Sequence, residues 1–452
     1  MLLLTKSIIS YVSQLIAGLL SIFKIFTNEM GKNMTIDFHK EIWEGFDQKT
    51  NYGKTPFLFQ SVLPLNEGFS NHETVKNAFY NLCSKSNLLK TDCRLRIYDG
   101  EKRRDDLVEK LSSETILSDE TLIHFMQRLS GKERFSLVIN NLEQSCPKLA
   151  ADFGLFAQSF FDYKGIPIGG IEQATFCGNY SGTAFGIHEG FEHAFLCHLG
   201  PGIKYFYCWS RELYLEITGS REPTFSDSEL YDKLIEKGTL YILKPGDALY
   251  LPASVYHVGR QEEFSVSIAL PFYTYPLSRF MALKILPALS EQSLPFDQEG
   301  MSELIKFDNN QFDIEPLSTL LTETINKWLQ QDLPKYLHYY WHRLRSNGGW
   351  ELPTTISADP LKEPEHQNDL IINPDSQVSL QAPFIVSYEH GLDCSSDEIR
   401  VFIATKSVIL PASSETLKLL DTLNTRQPIT IHSEEVYTSL KILIGTGGLF
   451  CH

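Results

Sequence analysis

The cysteines of this 452-residue chain are few and scattered, and none of the eight stands in a CxxC pair. This spacing argues against a cysteine-based zinc site, and a chain of this length needs no disulfide framework to form a core. Several cysteines lie in apolar segments such as FLC, FYC and TFC. We therefore expect free, buried thiols in a protein of a reducing compartment, the cytoplasm.

Basic residues are in deficit, with 40 Lys and Arg against 56 Asp and Glu, a formal net charge of −16. Affinity for a phosphate backbone needs clusters of Lys and Arg, so nucleic acid is not an expected partner. There is no internal repeat and no low-complexity segment. The length predicts two or three domains, and apolar residues at 42% supply enough material for a buried core.

Long apolar runs are also lacking. The segment most like a membrane helix is residues 7–23. Its 17 residues are uncharged but include four serines and a glutamine. A membrane-spanning helix needs roughly 20 apolar residues, and no convincing cleavage site follows. Three interpretations compete: a helix that associates with a membrane, a marginal signal sequence, and an extension of the reading frame upstream of Met30 or Met34. Residues 1–33 are therefore treated apart from the fold.

The next segment, residues 34–276, predicts helices followed by an antiparallel β barrel or sandwich. Its first part contains HETVKNAFYNLCSKSNLL with helical spacing and RLRIYDG with strand spacing. From about Ile166, short aromatic-rich runs alternate with Gly, Pro and Asn. They are TAFGIH, HAFLCHL, KYFYCW, TLYILK, ALYLPA and FSVSIALPFY. Short strands at this density are typical of barrels and sandwiches.

Residues 277–355 carry apolar side chains at i, i+3, i+4 and i+7 and predict helices. One of these helices carries a cluster that predicts packing or a dimer interface: Tyr336, His338, Tyr339, Tyr340, Trp341 and His342. After a polar, Pro-rich linker, residues 375–452 predict the order strand, strand, helix, short strand, helix. That order indicates a small winged-helix-like module, and without a basic stripe a protein contact is favoured over DNA.

Two histidines stand in segments that suggest metal binding. His188 ends GTAFGIH, and His257 ends GDALYLPASVYH, 69 residues later. Gly246 and Asp247 predict a tight turn into a strand that ends at Pro252. In a barrel of short antiparallel strands, we expect the two imidazoles to face each other across the mouth. Imidazole suits iron, copper, zinc and nickel, so this pair alone does not choose the metal.

The pattern G-x5-H followed by G-x5-P-x4-H resembles the two cupin motifs of JmjC-type, 2-oxoglutarate-dependent oxygenases. The motifs cover roughly residues 165–276 and imply an α+β protein built on a double-stranded β-helix. The resemblance implies that His188 and His257 bind Fe(II), and that O2 and 2-oxoglutarate are used to oxidise a substrate C–H bond. The order of the later segments is similar to the ribosomal-oxygenase branch, which implies a homodimer formed through residues 277–355.

Lys204 supports the same resemblance. In the family, a basic residue about fifteen positions after the first ligand pairs with the distal carboxylate of 2-oxoglutarate, and Lys204 lies 16 positions after His188. A buried cation needs an anionic partner to offset its desolvation, and a dicarboxylate supplies one. Thr183, Ser265 and Ser267 are further candidates for binding this cosubstrate, and the alternative for each is a hydroxyl satisfied within its strand.

The sequence departs from the family at the carboxylate ligand. The family's triad is His-x-Asp/Glu plus a distal His, whereas this chain reads His188-Glu189-Gly190. Side chains alternate between the faces of a strand, so Glu189 has the wrong parity. Glu192 has the right parity but lies about 6–7 Å further along the strand.

Three interpretations of Gly190 remain. In the first, chloride occupies the vacated ligand position, as in radical halogenases, and a small molecule is chlorinated. In the second, Glu192, His193 or water completes the iron site after a local bulge, and a protein side chain or small molecule is hydroxylated. In the third, the barrel is a non-catalytic binding scaffold. His193 and His198 are otherwise expected to be ordinary barrel histidines.

Overall fold

The computed structural model describes most of the chain beyond the N-terminal segment, and residues 38–451 form one compact unit. The residues described are 38, 40–83, 93–117, 119–293, 307–308, 311–312, 315–352, 372–373 and 376–452. Within these ranges, no helix is both long and apolar enough to cross a membrane. The membrane association predicted for residues 7–23 lies outside them.

Strands and helices alternate irregularly along the chain. The strands are Phe57–Phe59 (β1), Arg94–Asp99 (β2), Lys102–Arg103 (β3), Ser136–Asn140 (β4), Ala174–Tyr180 (β5), His188–Glu189 (β6), His193–Pro201 (β7), Lys204–Trp209 (β8), Thr239–Leu243 (β9), Ala248–Leu251 (β10), Tyr256–Phe272 (β11), Phe307–Asp308 (β12), Gln311–Phe312 (β13), Gln377–Leu380 (β14), Ser387–His390 (β15), Glu398–Ile403 (β16), Lys406–Pro411 (β17), Ile429–Thr430 (β18) and Leu449–Cys451 (β19). The helices are Phe46–Lys49 (α1), His72–Leu82 (α2), Asp105–Leu111 (α3), Leu122–Ser130 (α4), Pro147–Lys164 (α5), Arg211–Thr218 (α6), Glu229–Lys237 (α7), Leu277–Phe280 (α8), Leu286–Ser293 (α9), Glu315–Lys327 (α10), Leu333–Ser346 (α11), Ser414–Leu423 (α12) and Glu434–Ile444 (α13). Short 3-10 turns occupy Lys40–Trp43, Leu65–Glu67 and Leu142–Ser145, and π-helical turns occupy Met281–Ile285 and Trp328–Asp332.

The large sheet is organised around its longest strand, β11. The second half of β11 pairs with β5 and β7, in the order β1-β10-β7-β11-β5-β4-β2-β3. Its first half pairs instead with β6 and β8, and β9 follows at the edge of β8. All of these pairings are antiparallel. One continuous strand therefore joins two sets of strands in a large antiparallel sheet, which is consistent with a cupin or JmjC-type fold.

Local sequence explains several boundaries. Asn71 caps α2 by accepting from the backbone N–H groups of Glu73 and Thr74, and Pro147 stands at the first turn of α5. The predicted turn before β10 is confirmed: Gly246 has φ +97°, and the Asp247 carboxylate accepts backbone N–H groups of Ser61 and Lys244, each at 2.9 Å. This positive φ favours glycine.

An aromatic core holds the sheet against the N-terminal helices. Phe195 of β7 is fully buried, and its ring contacts six others: Trp43, Phe59, Phe156, Phe160, Tyr250 and Phe272. Each such pair contributes about 0.5–1.5 kcal/mol beyond the burial of its area. This packing stabilises β7, β10 and β11, which are neighbouring strands in the sheet order.

The strand prediction for TAFGIH is wrong for most of its length. Only His188 and Glu189 form a strand, and the residues before them make a turn in which Gly186 has φ +64°. The other five predicted strand segments are confirmed. The helices predicted at residues 72–89 and after Pro276 are confirmed within the described residues, the latter with π-helical turns.

Residues 376–451 have their own apolar core but a different order of elements from the one predicted. Strands β14, β18 and β19 form one small sheet, and β15, β16 and β17 form another, with α12 and α13 packed against them. Four strands, β14 to β17, precede α12 where the predicted order has two, and Ala404 and Thr405 turn the chain between β16 and β17 with φ values of 51° and 69°. After the last helix the chain adds a further strand, Leu449–Cys451, that the predicted order does not contain. The winged-helix interpretation stays a prediction.

Candidate metal centre

His188 and His257 lie beside each other on neighbouring antiparallel strands. They are direct cross-strand partners on β6 and β11, and their ring centroids are 4.5 Å apart at an interplanar angle of 57°. The expectation that they face each other across a mouth is therefore wrong. The first half of β11 pairs with β6 itself, and directly opposed residues have Cβ atoms about 4.5–5.5 Å apart. The pair is close enough to share one ligand.

Among the described residues, the hydrogen bonds of both rings engage Nδ1 and leave Nε2 free. Nδ1 of His188 donates to the carbonyl oxygen of Gly186, and Nδ1 of His257 donates to that of Val255, each at 3.1 Å. With the proton on Nδ1, the Nε2 lone pair of each imidazole is available to a metal ion. A backbone carbonyl that holds the other ring nitrogen is the usual arrangement around a metal-binding histidine.

Burial keeps both imidazoles neutral. Desolvation lowers the pKa of His188, and desolvation followed by the neighbouring His188 lowers the pKa of His257 to about 3. Both rings are consequently unprotonated at neutral pH, which is the form that binds metals.

Gly190 faces the histidine pair. Its N–H donates to Val255 O at 3.1 Å, and its carbonyl accepts the N–H of Ser254 at 2.7 Å, which fixes the backbone. A Cβ placed on Gly190 would lie 3.2 Å from Cε1 of His257. A side chain at this position would therefore point at the imidazole, and in this chain that space carries no carboxylate.

The nearby glutamates are held by arginines. Glu189 accepts from Nε of Arg211 at 2.6 Å, in agreement with its predicted wrong parity. The Glu192 carboxylate lies 3.5 Å from Arg279, and burial raises its pKa. Across the described residues, three His, Cys, Asp or Glu side chains bring ligand atoms within 4.8 Å of one another at one place, which includes neither Glu192 nor the histidine pair.

Lys204 is fully buried at the start of β8. Its ammonium donates to Tyr180 Oη at 3.0 Å and to Gln261 Oε1 at 3.2 Å. No Asp or Glu in the described part of the chain forms an ion pair with it, and burial lowers its pKa to about 7. Neutral hydrogen bonds alone do not compensate a buried positive charge. Lys204 is thus a buried cation that lacks an anion.

Lys204 and His257 line the same side of their strands. Phe206, two residues after Lys204, stacks on the His257 ring with centroids 5.4 Å apart. On β11, a Cβ at Gly259 would lie 2.9 Å from Cε of Lys204 and 3.3 Å from Phe206. Because His257, Gly259 and Gln261 lie at every second position, all three share one face of β11. Gly259 leaves room for the lysine stem.

Sequence reasoning missed Gly259, Gln261 and Tyr180. The sequence carries a signal for Gly259 and Gln261, because they follow His257 by two and four residues and so lie on the same face of its strand. Tyr180 had none, because its role depends on the pairing of β5 with β11, which places Tyr180 opposite Gln261.

The hydroxyl candidates are engaged elsewhere. Ser267 Oγ lies 2.9 Å from Nδ1 of His198, and Thr183 donates to the carbonyl of Gly186 at 3.4 Å. Ser265 donates to Gln261 Oε1 at 2.9 Å and so contacts a partner of Lys204. Their predicted part in cosubstrate binding stays a prediction.

We expect His198 to be structural, as its sequence position predicts. Nε2 of this buried ring lies 2.7 Å from Gly202 O, and its Nδ1 bonds Ser267, so both nitrogens are satisfied inside the protein. His198→Gln should lower the free energy of unfolding by about 1–3 kcal/mol, because a buried partner is left unpaired. Fe(II) affinity should not change. Denaturant unfolding and metal titration of the variant check both; a folded variant that loses iron would contradict this assignment.

Known proteins resemble this chain in structure only. No protein-family model matches it, and no curated protein matches it in sequence. The structure of Escherichia coli YcfD has 14% sequence identity and a TM-score of 0.51, over 91% of this chain and 98% of that one. A second structure of YcfD, described as a ribosomal oxygenase, has 14% identity, a TM-score of 0.50 and the same coverage. At this identity the likeness concerns the fold, and the chain shares the mixed α/β fold of YcfD.

Proposed function

We propose that this protein is an Fe(II)- and 2-oxoglutarate-dependent oxygenase that oxidises a C–H bond of its substrate. The observation that carries the proposal is the combination, on β6, β8 and β11, of two neutral imidazoles with free Nε2 atoms and a buried lysine that pairs with no anion among the described residues. The likeness to YcfD, a ribosomal oxygenase, supports it. Its identity of 14% leaves the substrate to be established by experiment.

The side chains would divide the work between metal and cosubstrate. His188 and His257 would hold Fe(II) through Nε2, while their Nδ1–H bonds orient the rings. Lys204 would bind the distal carboxylate of 2-oxoglutarate, with Tyr180 and Gln261 holding the ammonium in place. Bound iron, with O2 and 2-oxoglutarate, supplies the oxidising power for C–H cleavage. Thr183 and Ser267 remain candidates for further contacts with the cosubstrate after a change of hydrogen-bond partner.

The donor set fits iron at two of the three protein positions of the two-His, one-carboxylate triad. Gly190 occupies the third position, and Arg211 and Arg279 hold the neighbouring glutamates. This favours an exogenous ligand over Glu192, so chloride and radical halogenation stay part of the proposal. Hydroxylation with water at that position is the second outcome. The substrate is a small molecule or a protein side chain. The remaining alternative, a non-catalytic cupin, is distinguished by its failure to consume 2-oxoglutarate.

We also propose the domain organisation on which this function rests: residues 34–276 form a JmjC-type double-stranded β-helix, 277–355 a helical dimerisation region and 375–452 a winged-helix-like module in a cytoplasmic protein. Support for a homodimer comes from apolar side chains exposed on consecutive turns of the helical region. They are Leu320, Leu321, Ile325 and Leu329, between 42% and 60% exposed.

Loss of either histidine should abolish activity. In His188→Ala and in His257→Ala, Fe(II) affinity should fall at least about 100-fold, because a single imidazole remains, and consumption of 2-oxoglutarate should become undetectable. His124→Ala is the control, since His124 is an exposed histidine on α4. Anaerobic Fe(II) titration and succinate formation measure the two effects. Unchanged succinate formation in His257→Ala would refute the proposal.

A further inference from the structure

A second set of metal-binding side chains lies away from the histidine pair. His338 and His342 are four residues apart on α11, and Glu389 is on β15; one ligand atom from each lies within 4.8 Å of the others. Residues at i and i+4 project from the same face of a helix. The spacing of the HYYWH segment, predicted only as packing, therefore presents two imidazoles together to the strand.

Both imidazoles converge on one carboxylate oxygen. Oε2 of Glu389 lies 2.9 Å from Nδ1 of His338 and 2.8 Å from Nε2 of His342. A nitrogen lone pair facing a carboxylate oxygen at this distance is repulsive, so each contact needs a proton or a cation between the two atoms. One divalent metal ion satisfies both contacts at once.

His342 is held in position from its other side. Its Nδ1 lies 2.8 Å from Ser387 Oγ, and its buried ring stacks on Phe402 with centroids 4.8 Å apart at 8°. When Ser387 accepts the Nδ1 proton, Nε2 presents its lone pair toward Glu389, as in histidines whose second nitrogen is fixed by an outer partner. The His338 side chain is 54% exposed, so water can reach the remaining coordination position.

A lysine on the same helix is paired with a carboxylate outside this cluster. Lys335, one turn before His338, pairs with Asp393 at 2.7 Å, and Asp393 also accepts from Tyr339 Oη at 3.0 Å. Its ammonium is therefore committed to a carboxylate other than Glu389.

We propose that His338, His342 and Glu389 bind a divalent first-row transition ion, zinc, that ties α11 to β15. Two imidazoles, a carboxylate and a water make a four-coordinate zinc site. Zinc bonds of about 2.0–2.2 Å at tetrahedral angles separate ligand atoms by roughly 3.3 Å. Each N···O contact to Glu389 would lengthen by about half an ångström to admit the ion, a movement within reach of the exposed His338 and the half-buried Glu389.

The test is zinc titration of the metal-free, full-length protein in competition with a chromogenic chelator, together with thermal unfolding. Besides any zinc taken up by the His188–His257 pair, we expect one zinc equivalent that depends on His338 and Glu389 and raises the midpoint of unfolding by at least about 3 °C. His338→Ala and Glu389→Gln should weaken it at least about 100-fold. His390→Ala, at an exposed histidine on the same strand, is the matched control and should retain it.

The zinc site and the proposed iron centre can be told apart, because this zinc equivalent should persist in His257→Ala. Tetrahedral cobalt absorption in the visible range, lost in His338→Ala, would confirm the geometry. The proposal is overturned if no zinc binds more tightly than about 10 μM. It is equally overturned if the bound zinc is indifferent to both His338→Ala and Glu389→Gln.

Discussion

Lys204→Met should eliminate most of the affinity for 2-oxoglutarate and, in the same variant, make the ligand-free protein more stable. The ammonium is fully buried and bonded only to Tyr180 and Gln261 in the part of the chain that the structure describes. Each charge-assisted hydrogen bond to a carboxylate contributes about 1.5–3 kcal/mol, so the affinity should fall roughly 10- to 150-fold. Methionine fills the same volume without a charge to desolvate.

The stability effect has a predictable pH dependence. The pKa of Lys204 is about 7 in the folded protein against 10.5 for an ordinary lysine, so between these pH values the unfolded chain binds the extra proton. Wild-type stability should therefore gain up to about 1.4 kcal/mol per pH unit from this group as pH rises through that window, and nothing further above it. Lys204→Met should lose this slope, and saturating 2-oxoglutarate should reduce it by keeping the ammonium charged.

Lys244→Met is the matched control, because Lys244 is exposed at the end of the next strand. It should change neither the affinity for 2-oxoglutarate nor the pH slope. Calorimetric titration and urea unfolding between pH 7 and 10 measure the two effects. Wild-type affinity in Lys204→Met would remove Lys204 from the cosubstrate site.

Gly190→Asp should strengthen iron binding and abolish any dependence of the centre on chloride. The new side chain would start 3.2 Å from Cε1 and 3.7 Å from Nδ1 of His257, and we expect its carboxylate to reach an ion held at Nε2. Two unit charges 4 Å apart near a protein surface attract by about 4 kcal/mol, and part of this is offset by the shift forced on His257. We expect Fe(II) affinity to rise on the order of tenfold or more, with hydroxylation as the outcome.

Gly190→Ala separates the effect of the added carboxylate from the effect of the added Cβ. It adds the same Cβ contact without a ligand, so it should weaken iron binding slightly and restrict access of a halide. Fe(II) titration of the three proteins, with and without chloride, gives the comparison. If Gly190→Asp behaves like Gly190→Ala, the third ligand comes from elsewhere in the chain, and Glu192 returns as the candidate.

The sequence was most informative where chemistry depends on spacing. The motifs select His188, His257 and Lys204 as candidates, and comparison with the family's His-x-Asp/Glu pattern selects Gly190. The relation between the two histidines was not predictable, because it depends on β11 pairing with β6 at one end and with β5 and β7 at the other. A strand of 17 residues that changes partners midway leaves no mark in a local alternation pattern.

The errors in the fold share a physical cause. TAFGI has the composition of a strand, but Gly186 takes a positive φ and bends it into a turn. Ala404 and Thr405 adopt positive φ without the Gly or Asn that usually marks a hairpin, so the turn between β16 and β17 leaves no local signal in the sequence. In both places, long-range pairing overrides local preference, and only the three-dimensional structure reveals it.

The measurement that most directly tests iron and cosubstrate binding is the visible spectrum of the anaerobic protein with Fe(II), before and after addition of 2-oxoglutarate. We predict a weak charge-transfer band that appears with 2-oxoglutarate, shifts on addition of chloride if the position beside Gly190 binds halide, and is absent in His257→Ala. No band in the wild-type protein, or an equal band in His257→Ala, would contradict an Fe(II)/2-oxoglutarate centre at His188 and His257.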